Sequence, residues 1–321
     1  MSNAVPGVLL AAGALLLLVL VYRLGAGDVA SALRRVAWWQ FVLICVLQGL
    51  NVAVDTYGWR CVLARDRAPF GRLLAARCAG DAANVLTAVA SVGGEAVKAW
   101  VLRREIPYEE SVPSLVVSKT AEVVAQALLL AVGLLAAWTT DAIGPGLRAA
   151  MGYLLLVEAI GVGGFLAVQV AGVVGRTGRI FSFAGAGATR QVELLDGALR
   201  TFYRQEWRRF LASVSIYFAG WLVGVVQALL VLRSLGLPGS LVTATIIEAL
   251  WSGVRFATFF VPASLGTLEG ANVAAFGAFG LSASAGLEFT LVRRACQAVW
   301  IGLGVVILMA MRPTRAVSQA T

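Results

Sequence analysis

The 321-residue chain contains no histidine, so the commonest metal ligand and general base is missing. Charge is scarce too. Asp, Glu, Lys and Arg make up 13% of the residues, about half of the ~25% usual in a soluble domain. That is too little polar surface to cover a water-soluble globule. Cysteine is sparse and scattered: Cys45, Cys61, Cys78 and Cys296 form no CxxC pair and no metal-ligand spacing, which makes free thiols the expectation. No phosphate-cradling P-loop, nucleophile motif or nucleic-acid-binding motif is found either. No cofactor or metal is therefore expected.

What is present is apolar. Hydrophobic residues make up 60% of the chain and the mean hydropathy is +0.85. A transmembrane helix takes roughly 20 apolar residues, so the length allows about six to eight passes. The expectation is an all-α polytopic integral membrane protein forming one membrane domain over 1–321. The net charge of +9 is carried almost wholly by Arg. In this setting cationic loops on the cytoplasmic side, lying against anionic headgroups, explain it better than a nucleic-acid partner.

The first apolar run is Val8–Tyr22, closed by Arg23. Ala30-Ser31-Ala32 resembles a cleavage site, but the run has no cationic lead, so an uncleaved first helix is expected. Residues 28–38 set Val29, Leu33 and Val36 on one face beside Arg34 and Arg35, an interfacial pattern. A span from about Trp38 to Trp59 has aromatic residues at both ends and carries Gln48, Asn51 and Asp55. Further spans are expected at about 112–138, 149–174, 210–232 and 289–311. The polar stretch 175–209 is rich in Arg and reads as a cytoplasmic loop.

Two regions are broken. Leu73–Ala90 is interrupted by Asp81 and Asn84 and then by Ser91-Val92-Gly93-Gly94-Glu95, with a short helix after it. The region 241–280 is broken at Val261-Pro262-Ala263-Ser264-Leu265-Gly266. Half-length helices around Gly-rich breaks read as re-entrant hairpins, which membranes tolerate only where protein or a cavity surrounds the backbone. The two breaks also align. Glu95 to Lys119 is 24 positions, and so is Glu269 to Arg293. About six spans plus two hairpins, in halves 38–138 and 210–311, then form an inverted repeat, a pattern of transporters. The flanking segments are 1–37, 139–209 and 312–321, and both termini fall on the cytoplasmic side.

Ionisable residues at bilayer depth are costly, roughly 2.5 to 3.5 kcal/mol each on insertion scales, and so are expected to pair and to mark function. Glu95 and Lys98 sit three apart on one helical face, as do Lys119 and Glu122. Gly93, Gly94 and Gly266 are expected to open half-helices with N-terminal amides directed at the hairpin tips. With nearby Lys and Arg these make a candidate anion site. The candidate translocation residues are Asn84, Gly93, Gly94, Glu95, Lys98, Lys119 and Glu122 in the first half. In the second half they are Glu248, Arg255, Pro262, Gly266, Glu269, Arg293 and Arg294.

At these residues the chain resembles the lysylphosphatidylglycerol synthase transmembrane-region family, also described as flippase-like, and most of all its hopanoid-biosynthesis-associated branch. The similar stretches are Asn84 with Val92-Gly93-Gly94-Glu95, then Val116-Val117 with Thr120, Glu122 and Gln126. In the second half they are Ile247-Glu248-Ala249-Leu250 with Arg255, Val261-Pro262 with Leu265-Gly266, Glu269-Gly270, and Leu291-Val292-Arg293. A Pro usual after the Asn is replaced here by Val85-Leu86-Thr87-Ala88-Val89.

The resemblance implies a translocating membrane part without the soluble synthase domain, in a bacterial cytoplasmic membrane. The expected function is lipid translocation rather than catalysis. The expected partners are membrane lipids: an anionic phospholipid, a hopanoid or a polyprenyl-linked lipid. A rival expectation is a scaffold that docks lipid-synthesis enzymes through the aromatic residues of 175–209, among them Phe181, Phe183, Phe202, Tyr203 and Trp207.

Overall fold

The computed structural model describes residues 34–63, 68–86, 92–141, 143–171, 186–259 and 267–311. The expected first span, most of the interfacial segment 28–38, both hairpin tips and the tail 312–321 lie outside them. The described residues form ten helices and no strand. In chain order these are α1 Trp38–Val62, α2 Phe70–Leu86, α3 Val92–Leu102, α4 Tyr108–Trp138, α5 Pro145–Ala171, α6 Ala186–Gln205, α7 Trp207–Ser234, α8 Leu241–Ala257, α9 Thr267–Ala278 and α10 Ala283–Ala310. Five of them (α1, α4, α5, α7 and α10) are long and apolar enough to cross a membrane.

The spans start and stop for local reasons. Pro107 precedes α4, where its fixed φ suits a helix entry. Ser282 caps α10 by accepting from the Ala285 amide at 3.2 Å. That cap lets α10 begin six residues before the expected Phe289, so Arg293 and Arg294 lie well inside the span. Trp38 and Trp39 are exposed at the start of α1, as interface anchors are. Trp59, expected to anchor the other end, is instead buried, and its indole N–H donates to Ser114 of α4 at 3.2 Å.

The segment read as a polar loop contains α6, whose apolar face packs on α4, α5 and α7. Its aromatic residues are engaged within the fold. The Tyr203 hydroxyl donates to Gln169 at 3.0 Å, and the Tyr203 ring stacks edge-on between Phe202 and Phe210. Burial pushes the Tyr203 phenol up to about 12, so it remains a donor at neutral pH. Trp207 stays exposed, while Phe181 and Phe183 lie outside the described residues.

Eight of the helices fall into two sets of four, α1–α4 and α7–α10. The short helices α2 and α3 pack together and lie among α1, α4 and α10, and the short helices α8 and α9 pack together and lie among α7, α10 and α4. Helix α1 runs against α7 along much of its length. Close approach depends on glycine. A Cβ on Gly94 of α3 would run into the Gly80 carbonyl and the Asn84 side chain of α2, and one on Gly133 of α4 would strike Ala249 of α8. Gly94→Ala should therefore force α2 and α3 apart and cost about 1–3 kcal/mol. A lower melting temperature in detergent checks this; an unchanged one would mean that the two half-helices are not tightly docked.

A charge-lined cavity between the two helix sets

A cavity of about 220 Å³ lies where the helix sets meet, lined from α1, α2, α3, α4, α7, α8, α9 and α10. Its walls are polar although the helices around it are largely apolar, because α1, α2, α3, α4, α8 and α10 each turn one or two charged residues inward. Of the residues singled out from sequence, Asn84, Glu95, Lys98, Lys119, Glu122, Glu248, Arg255, Arg293 and Arg294 line it. Glu269 sits behind the wall, paired with Arg294 at 3.1 Å. Pro262 and Gly266 lie outside the described residues.

Gly93 and Gly94 begin α3 but do not present free amides to an anion. The Gly94 N–H donates to Asn84 Oδ1 at 2.7 Å, and Gly94 is buried against Gly80. The expected amide site is thus already occupied by a side chain of the preceding half-helix. A short polar side chain satisfies an orphan helix-start donor well, and that competition was not visible from spacing alone.

The first-half charges form one connected network. Arg77 of α2 is its hub: Nη2 meets Asp55 of α1 at 2.9 Å, Nε meets Asp81 at 3.0 Å, and Glu122 of α4 lies 3.8 Å away. Lys98 bridges Asp81 and Glu95 at 3.3 and 2.9 Å, and Lys119 meets Glu122 at 3.3 Å. Both pairs expected at three-residue spacing are therefore made. Arg77, not among the residues singled out from sequence, is buried inside α2. The sequence did hold a signal for it, since Asp81 stands four residues on along the same face.

The second-half pattern is simpler. Arg293 of α10 clasps Glu248 of α8 through both guanidinium nitrogens, one bond being 3.0 Å. Its guanidinium also lies 4.5 Å from the centre of the Trp251 ring. Arg255 stands 5.6 Å from the centre of the same ring. Among the described residues Arg255 is the one cation of this cavity within bonding reach of no carboxylate. Carboxamide and hydroxyl groups fill the remaining wall, including Gln48, Asn51, Gln227, Asn272 and Thr290, together with Trp221 and Trp300.

Apolar spans around an internal ionic chamber define a polytopic integral membrane protein with a polar site at its centre. The chain belongs to the family described as the lysylphosphatidylglycerol synthase TM region, whose model matches residues 5–305. That match is to the family as a whole and singles out no branch within it. No curated protein and no solved structure matches the chain.

Proposed function

We propose that this protein moves a lipid across the bilayer by taking its headgroup into the cavity while the acyl chains stay in the surrounding membrane. The observation that carries this reading is Arg255, a cation lining the chamber that is bonded to no carboxylate among the described residues and has the Trp251 ring beside it. A guanidinium without a carboxylate partner is suited to the phosphate of a headgroup, to which it donates from a fixed fork. The volume of about 220 Å³ holds a headgroup and excludes a whole lipid. Phospholipids and polyprenyl phosphates share that phosphate. A hopanoid cargo would need an anionic group to use the same cation.

The helix contacts support reading the two sets as an inverted repeat with re-entrant hairpins. The half-helix α2 packs on α10 and its counterpart α8 packs on α4, while α1 meets α7. Each half thereby inserts its broken element against the last span of the other. The ionic links instead run at equivalent places within each half: Arg77 on α2 faces Glu122 on α4, and Glu248 on α8 holds Arg293 on α10. Such an arrangement allows one half to rock against the other about a central site. We place the protein in a bacterial cytoplasmic membrane with both termini inside, because the Arg-rich segment around α6 suits that side.

The test is reconstitution in liposomes with labelled lipids. The expected outcome is faster transbilayer movement of anionic phospholipid than in protein-free liposomes, with no new lipid species in the extract. Appearance of a chemically altered lipid would replace translocation by catalysis.

A further inference from the structure

The neutral side chains of the cavity wall carry a pattern of their own. Asn51 of α1 donates its amide to the Gly220 carbonyl at 2.8 Å, Gln227 of α7 to the Ile44 carbonyl at 3.0 Å, and Asn272 of α9 to Thr290 at 2.8 Å. Each uses a donor within the protein and keeps a carbonyl oxygen. Among the described residues no group donates to these three oxygens, and none of the three is sealed from the cavity. Gln227 and Asn272 are otherwise almost wholly enclosed, 4% and 1% exposed, so their open side is the chamber.

Three further carboxamides are set the other way round. Gln48 accepts from Gln227 at 3.3 Å, Gln297 from Arg294 at 3.3 Å, and Asn84 from the Gly94 amide at 2.7 Å. Their carbonyls are used within the fold. Their amide hydrogens remain, again with no acceptor among the described residues. The wall therefore offers both neutral acceptors and neutral donors. Leaving a polar group without a partner costs free energy once water is excluded, so a ligand that fills this space must supply both kinds.

That requirement selects among headgroups. A phosphate oxygen only accepts, and it has Arg255. An ammonium only donates, and it finds no free counter-charge, because the lining carboxylates Asp55, Asp81, Glu95, Glu122 and Glu248 each meet a cation. A hydroxyl donates and accepts at once. Several hydroxyls on one ligand match a wall that presents both. Trp221 and Trp300 lie in the same wall. The Trp300 N–H donates to the Cys45 carbonyl at 3.1 Å and its ring packs against Gly49, which fixes the indole. Flat indole surface suits the carbon-bound hydrogens on the face of a polyol ring. There is room as well: about 220 Å³ is roughly seven times the ~30 Å³ of one water, more than a phosphate fills.

We propose that the cavity selects a polyol headgroup: a lipid phosphodiester whose outer part is an inositol-like or sugar ring, with the phosphate at Arg255 and the hydroxyls on the carboxamide wall. The assignment rests on the translocation reading for putting a lipid headgroup in the chamber. A site built to hydrogen-bond hydroxyls discriminates against the analogue that lacks them, because its own polar groups are then left unpaired. An inositol on a phospholipid and a hexose on a polyprenyl phosphate present the same hydroxylated ring, and the experiment separates these two sources.

Binding is measured on the purified protein in detergent, as the rise in melting temperature with added short-chain lipid. Phosphatidylinositol is compared with phosphatidylmethanol, which has the same charge and chains but no hydroxyl, and with phosphatidylethanolamine. Hexosyl polyprenyl phosphate is compared with the methyl ester of the same polyprenyl phosphate. The expected result is a dissociation constant about tenfold lower for the hydroxylated member of one pair, and that pair names the source. In Gln48→Met and Gln297→Leu the preference should fall to about twofold. Equal binding within both pairs, tightest binding of phosphatidylethanolamine, or no saturable binding of any lipid would overturn the proposal, as would a preference that both folded variants retain in full. The wild-type comparison decides without the variants if neither folds. Equal binding within the pairs alongside lipid movement in liposomes removes the polyol assignment and leaves translocation; a hydroxyl preference with no lipid moved does the reverse.

Discussion

Replacing Arg77 by Met should produce the largest loss of folded protein of any single cavity substitution. The guanidinium uses separate nitrogens for Asp55 and Asp81 and lies close to Glu122, so its removal strands Asp55 and leaves Asp81 and Glu122 with one lysine each. Asp55 and Glu122 are mostly enclosed, with 16% and 15% of their side chains exposed. Breaking a buried ion pair by removing one partner costs about 3–5 kcal/mol, because the survivor is left charged without compensation. The expected measurement is a collapsed thermal transition and poor recovery of monodisperse protein from detergent. Arg77→Lys should recover only part, since one ammonium cannot reproduce two separately directed bonds. Adding Asp55→Asn to Arg77→Met should restore some stability by removing one stranded charge. A melting temperature equal to wild type in Arg77→Met would show that the network is not what docks α2 against α1 and α4.

Arg255→Gln should behave in the opposite way, leaving the fold intact and removing function. Arg255 is not bonded to a carboxylate among the described residues, so its loss breaks no ion pair. What it removes is a charged donor for a phosphate, and a hydrogen bond to a charged group contributes about 1.5–3 kcal/mol. At ~1.4 kcal/mol per factor of ten, movement of an anionic lipid should slow about ten- to a hundredfold. The melting temperature should stay within a degree or two of wild type, roughly the effect of an uncoupled surface change. Arg255→Lys should restore part of the rate by restoring the charge. Unchanged movement in Arg255→Gln would remove the headgroup role from this residue. The contrast between Arg77 and Arg255 separates a cation that holds the chamber together from one available to a ligand.

Much of this architecture was legible because lipid imposes strict rules on a chain. The spans α1, α4, α5 and α7 announce themselves as apolar runs, and their limits shift by only a few residues from the expected ones. The Gly-Gly pair before Glu95 was read as a break in the chain, whereas both glycines lie inside α3, where Gly94 meets Gly80. Helix α6 was missed because it is polar in composition and its amphipathic period lies within an Arg-rich stretch. The early start of α10 was missed because its first residues, 283–288, are mostly small and include Glu288, and the helix start there is set by the Ser282 cap.

The charged residues were identifiable as a group, but their pairing was legible only where the partners shared a helix. Glu95–Lys98 and Lys119–Glu122 follow from spacing. Arg77–Asp55 and Arg293–Glu248 join residues 22 and 45 positions apart and depend on how the helices cross.

The most direct test of the central claim is to locate the headgroup. A short-chain anionic phospholipid with a photoreactive headgroup, incorporated with the protein in liposomes and illuminated, leaves covalent adducts that peptide mass spectrometry can map. The account predicts adducts on the cavity walls, concentrated around Trp251 and Arg255, that diminish in Arg255→Gln and under competition by unlabelled lipid. Adducts confined to the lipid-facing surface of α5 and the ends of the spans, with the cavity peptides unmodified, would contradict it.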